Sequence, residues 1–222
     1  MRSFRIVAFG DSLTVGYIPF RIATQPYSRF LKRMTEKYLI QVSQEDDIDI
    51  QFINHGVNGD LTSGMLLRFR KDVIQIRATH VIVLGGTNDL GWEIPVPEIL
   101  SNIRQMYEMA RTHAIHFIGC TVPSIRGWDE GIPLRQELNQ SLQQYYDEMK
   151  VPCIDLFMAT CDPTTLRLRA DYSSDGLHMN AQGYQRLAEA FFQNAIRPLL
   201  IQAWDQSSDE PSFRERTNKS TS

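Results

Sequence analysis

The chain has 222 residues, 42% of them hydrophobic and 22% charged, with a net charge of −3 at neutral pH. This length suits one well-buried domain and is short for two, and the balance of apolar and charged residues argues against wholesale disorder. So small a negative charge gives no electrostatic reason to expect nucleic acid or an anionic membrane as a partner.

The chain opens Met1-Arg2-Ser3-Phe4-Arg5 and passes straight into Ile6-Val7-Ala8-Phe9, an apolar run too short for the core of a secretory signal. No apolar stretch approaches the ~18 residues a membrane helix needs. The expectation is a cytoplasmic protein without stable membrane insertion. Cys120, Cys153 and Cys161 are odd in number and lack paired metal spacing, and His113 and His116 have no carboxylate or thiol nearby in sequence. No metal site is expected.

Apolar or alternating runs at 5–9, 48–54, 80–84, 114–120 and 151–155 read as strands, with helical periodicity between them. After Pro26, residues Tyr27, Phe30, Leu31, Met34 and Tyr38 share one helical face. A shorter helix from Thr62 carries Met65, Leu66 and Phe69; another after Pro97 carries Ile99, Ile103, Met106, Tyr107 and Ala110. Leu134, Leu138, Leu142, Tyr145 and Met149 repeat the pattern. The last helix is expected after Asn180, an N-cap residue type, burying Tyr184, Leu187, Ala188 and Phe191, with Pro198 kinking or ending it. Five strands alternating with helices imply right-handed crossovers and a mostly parallel sheet covered on both faces. That is an α/β domain, doubly wound and flavodoxin-like, over residues 1–204. Residues 205–222 are polar and read as a disordered tail.

The first strand ends in Phe9-Gly10-Asp11-Ser12-Leu13-Thr14, which places Ser12 at a strand's carboxyl end, where open parallel sheets hold their ligand crevice. A serine hydroxyl at its ordinary pKa is a poor nucleophile; it needs a base, a group to orient the base, and donors for the oxyanion that forms. Asp175-Gly176-Leu177-His178 offers the first two, since a carboxylate three residues away in a turn can hold one ring nitrogen while the other accepts the serine proton. The turns Asn54-His55-Gly56-Val57-Asn58-Gly59-Asp60 and Gly85-Gly86-Thr87-Asn88-Asp89 follow the second and third strands at the same edge, and backbone N–H groups or an asparagine amide there suit an oxyanion. Asp11 is expected to tie down loop N–H groups, and His55, with no carboxylate at comparable spacing, is a weak rival base. The order Ser, Asp, His also occurs in α/β-hydrolases, but Gly10-Asp11-Ser12-Leu13-Thr14 lacks their G-x-S-x-G elbow.

Together these four segments resemble the SGNH, or GDSL, hydrolase superfamily, and Gly59-Asp60-Leu61-Thr62-Ser63-Gly64 is similar to the corresponding part of bacterial thioesterase/lysophospholipase enzymes of that group. The resemblance runs from Phe9 to about Gly183. It implies a three-layer α/β/α fold and hydrolysis of carboxylic esters or thioesters through an acyl-enzyme, with no cofactor or metal. It further implies Ser12 as nucleophile, His178 as base and Asp175 as its orienter, with an oxyanion hole from the N–H groups of Ser12 and Gly59 and the side chain of Asn88. Loops 15–25, 121–133 and 157–174 should rim the crevice, with Tyr17, Phe20 and Trp128 as candidate substrate contacts. Arg126, Arg167 and Arg169 in the rim read first as solvated surface charges. The expected partner is a small-molecule ester or acyl substrate; nothing in the sequence sets an oligomeric state. Sugar-ester deacetylase, acyl-CoA thioesterase and lysophospholipase activities use the same residues, and a module that binds an acyl ligand without turnover is the alternative outside enzymes.

Overall fold

The computed structural model describes residues 2–42 and 48–208. Strand β1 (Arg2–Gly10) is followed by the single-turn α1 (Ser12–Val15) and by α2 (Tyr27–Gln41). Next come β2 (Ile48–Gly56), α3 (Thr62–Phe69), β3 (His80–Leu84), α4 (Thr87–Gly91), α5 (Val96–Thr112), β4 (His116–Cys120) and α6 (Gly131–Glu148). Then follow β5 (Cys153–Ile154), α7 (Leu156–Thr160), α8 (Ala181–Phe191) and α9 (Arg197–Ser208). All four strand pairings are parallel and the order is β2-β1-β3-β4-β5, the flavodoxin-like order.

The two-residue period of β1 explains why the sheet has a core on each side. Ile6 and Ala8 face one way, against Leu31 of α2, Leu187 and Phe191 of α8, and Leu200 of α9. Val7 and Phe9 face the other, against Met65 and Phe69 of α3, Ile103 and Met106 of α5, and Leu142 of α6. Each large side chain so buried contributes roughly 1.5–3 kcal/mol. Both faces of β1 are therefore pinned. The strand that carries Ser12 at its end lies between β2 and β3, at the point where the strand order reverses.

Several boundaries differ from the expectation. β4 starts at His116 and not at 114, because Ala114 takes a left-handed backbone (φ 54°) that a strand does not accommodate. β5 shrinks to two residues, since Asp155 leaves the strand to cap α7, accepting from the Met158 N–H at 3.0 Å. Leu134 of α6 and Met149 just after it are exposed; the buried face of the helix runs through Arg135, Leu138, Asn139, Leu142, Tyr145 and Tyr146. Asn180 does cap α8, through the Gly183 N–H at 3.0 Å. Pro198 does not end the helical run. A wide π turn over Phe192–Ile196 precedes it, with Arg197 bonding back five residues to Phe192, so the proline enters at the second position of a fresh helix, where the missing N–H does least harm. That helix carries residues 205–208 of the expected tail; 209–222 lie outside the described residues.

Candidate active site

Ser12 is the first residue of α1, directly after β1, and is 7% exposed. Asp11 before it is extended and caps the turn, accepting from the Leu13 N–H at 2.9 Å, the tethering role expected of it. As an opening helical residue, Ser12 keeps its own backbone N–H outside the helix's internal bonds. Burial pushes the Asp11 carboxyl up to about 7; the Leu13 N–H opposes that rise, and the nearby Asp89 and Asp60 charges add to it. Asp89 is likewise raised by burial, although it accepts from the backbone and hydroxyl of Thr62.

The turn before α8 brings the other two groups in. His178 Nε2 lies 3.2 Å from Ser12 Oγ, and His178 Nδ1 lies 2.8 Å from Asp175 Oδ2. An ionised carboxylate only accepts, so Nδ1 carries the ring proton and Nε2 presents its lone pair to the serine hydroxyl. The other carboxylate oxygen, Oδ1, accepts from the N–H groups of Leu177 and His178 at 2.9 and 2.8 Å. Burial works against ionisation of Asp175, but the His178 ring and these two N–H groups outweigh it and hold the carboxyl below its ordinary range. Gly176 is required inside the turn: its φ is 86°, and a Cβ there would stand 2.1 Å from the Arg126 carbonyl oxygen.

The oxyanion candidates are Gly59 and Asn88, in the turns that follow β2 and β3. Gly59 sits in a turn at φ 72°, with open space where a Cβ would be. The Asn88 amide, half-buried at the start of α4, donates to the Asp60 carbonyl at 2.9 Å, which fixes the plane of the amide and leaves its second N–H for another acceptor. Of the three candidate substrate contacts, Tyr17 packs its ring edge-on against the His178 imidazole with centroids 4.8 Å apart. Phe20 is fully exposed on a left-handed backbone (φ 63°). Trp128 packs in a satellite cluster with Ile125, Ile132 and Phe157, under the Arg135 guanidinium. The rim arginines are engaged within the protein: Arg167 with Asp129, Arg169 with Asp171, and Arg126 with the Ser173 carbonyl.

Sequence reading missed several supports. Ser173 accepts from the Gly176 N–H at 2.9 Å and has Asp175 Oδ1 and the His178 carbonyl within reach of its hydroxyl, so it braces the acid–base turn. The Tyr184 hydroxyl donates to the Tyr17 carbonyl at 2.7 Å, locking the loop that touches the imidazole. His55 has no carboxylate at short spacing, but the fold brings Asp72 to 3.7 Å from its ring. Spacing could not disclose it, because Asp72 arrives from beyond α3. Ser173, beside the Asp175 motif, was the one support with a local signal.

The chain belongs to the GDSL-like lipase/acylhydrolase family, whose pattern matches residues 8–186. Among solved structures it is similar to a lipase/acylhydrolase from Enterococcus faecalis (25% identity, TM-score 0.69, covering 86% of this chain and 94% of that one). A variant of Axe2, an acetyl xylan esterase from Geobacillus stearothermophilus, shares the fold (17% identity, TM-score 0.74, covering 86% and 94%). By sequence it resembles the uncharacterized lipoprotein YqeF of Bacillus subtilis, with 27% identity over 129 residues, 55% of this chain and 50% of that protein. The chain spans about half the length of the curated relatives it matches. Among the described residues no helix is long and apolar enough to cross a membrane.

Proposed function

We propose that this protein is a serine hydrolase that cleaves a small carboxylic ester or thioester through an acyl-enzyme. The observation that carries the reading is the unbroken line from Ser12 Oγ through the His178 ring to Asp175, a 3.2 Å contact between residues 166 apart and a 2.8 Å contact within the turn before α8. In the first half-reaction Ser12 Oγ attacks the acyl carbonyl while His178 Nε2 takes its proton. Asp175 keeps the imidazole in the right tautomer and stabilises it when charged. The tetrahedral oxyanion is held by the Ser12 and Gly59 N–H groups and the Asn88 amide. On collapse, the acyl–oxygen or acyl–sulfur bond breaks and the leaving group takes the proton from His178. Water, deprotonated by the same ring, then attacks the acyl-serine; the bond from the acyl carbon to Ser12 Oγ breaks, Oγ takes the proton back from His178, and the acid leaves.

The half-buried Tyr17 beside the imidazole supports a pocket for a small acyl group, and the neighbours' names make simple esters and acetylated sugars the first substrates to try. A cytoplasmic location belongs to the same proposal, and cell fractionation checks it against the lipoprotein relative. The decisive experiment is covalent labelling of the pure protein by a fluorophosphonate, with turnover of p-nitrophenyl esters from acetyl to dodecanoyl. Labelling and turnover that both vanish in Ser12→Ala are the expected result. An unlabelled wild type would leave the acyl-binding module as the better reading.

A further inference from the structure

Arg68, on α3, takes no part in the steps above, yet its guanidinium is buried to 17% exposure at the carboxyl edge of the sheet. It makes four hydrogen bonds there. Nη2 donates to the Gly10 carbonyl at 2.8 Å and Nη1 to the His55 carbonyl at 2.9 Å, the ends of β1 and β2. Nε donates to Asp60 Oδ2 at 2.7 Å, and Nη1 also reaches Asp72 Oδ2 at 3.0 Å. The plane lies over the Phe9 ring, 4.1 Å from its centroid. Gly10 is two residues before Ser12, and Asp60 follows Gly59. The Asp60 carbonyl in turn accepts the Asn88 amide, and the Val57 N–H bonds to the Gly10 carbonyl at 2.9 Å. One side chain thus joins the strand carrying the nucleophile to the turn that carries Gly59 and whose Asp60 carbonyl accepts the Asn88 amide.

We infer that Arg68 is a positioning residue for the oxyanion hole, acting through Asp60 on the Asn88 amide and the Gly59 turn. The assignment rests on the serine-hydrolase reading. A planar fork with five N–H groups is needed to reach four acceptors at once; lysine, a point charge with three donors, cannot span them. A donor moved by a fraction of an ångström weakens its hold on the oxyanion far more than its hold on the ground-state ester, so the loss falls on kcat and not on KM.

The test is a double-mutant cycle read in p-nitrophenyl acetate turnover and in the rate of fluorophosphonate labelling. Arg68→Lys should lower kcat roughly 10- to 100-fold with KM changed less than about 3-fold. In an Asn88→Ala background the same substitution should cost about a fifth as much or less, because the amide it positions is gone. Asp60→Asn, which keeps size and backbone but removes the charge facing Arg68, should show the same coupling and serves if Arg68→Lys does not fold. Undiminished kcat, a change confined to KM, or full additivity with Asn88→Ala would overturn the assignment while wild-type activity and labelling stand. A wild type that neither turns over ester nor takes the label would overturn the hydrolase reading and this one with it.

Discussion

Both edges of the sheet carry a partly enclosed histidine, and only one of them has the means to use it. At the carboxyl edge His178 has Asp175 on one ring nitrogen and Ser12 on the other. At the amino edge His80 stacks on His116 at 4.8 Å and borders a cavity of about 510 Å³ lined by Tyr107, Met149, Pro198 and Leu199. Burial, and then the neighbouring His116, push the His80 ring down to about 4, and its Nδ1 lies 2.9 Å from the Thr79 hydroxyl. The amino edge has space and an imidazole, but among the described residues that line the cavity there is no carboxylate to set a tautomer. A cavity of that size is therefore a poor guide to chemistry here; convergence of loop ends is the better one.

The comparison breaks most sharply at His178. Replacing it with alanine should lower kcat by roughly 10⁴-fold or more, as loss of a triad base does, measured with p-nitrophenyl acetate on protein of verified fold. The next effect is on stability and belongs to the same edge. Asp11 holds its proton more tightly folded than unfolded, its pKa rising from 3.8 to about 7, so the native state loses stability as pH rises between those values and the loss is complete above them. That loss is on the order of 4 kcal/mol. Asp11→Asn should gain stability on the wild type at pH 8 and lose the advantage near pH 4, as denaturant titrations at the two pH values will read. Asn88→Ala should lower kcat by roughly 10²- to 10³-fold, the usual effect of one oxyanion donor, with unchanged turnover placing the hole elsewhere. The smallest effect belongs to the amino edge. His80→Leu should leave turnover within about 2-fold, since that ring touches nothing in the proposed reaction. It should also flatten one part of the acid limb of stability. The folded ring protonates only near 4 while the unfolded one protonates near 6.5, so the wild type loses stability as pH falls through that window. The size is on the order of 2 kcal/mol, allowing for solvent in the adjoining cavity.

Much of this was legible along the chain because periodicity is a local property. The β3 run at 80–84 stands as read, the Asn180 cap is where its residue type placed it, and the alternation of strand and helix implied the parallel sheet, while its order was only guessed from size and strand count. The four motif segments likewise marked Ser12, Gly59, Asn88, Asp175 and His178 without any coordinates. Where local signals misled, tertiary packing had changed the sum. The wide turn before Pro198 let a helix pass a proline, and Leu134 and Met149 fell off the buried face that Arg135 and Asn139 occupy.

What the amino-acid order determined by itself was which residues could do chemistry and at which edge of the sheet they would emerge. Only the folded chain decided what holds them there: the 3.2 Å contact between residues 166 apart, the Asp72 carboxylate beside His55, and an arginine that clasps two strand ends and Asp60. The physical reason is that a hydrogen bond depends on distance and direction in space, whereas spacing along the chain constrains those only within a turn or two of helix or strand.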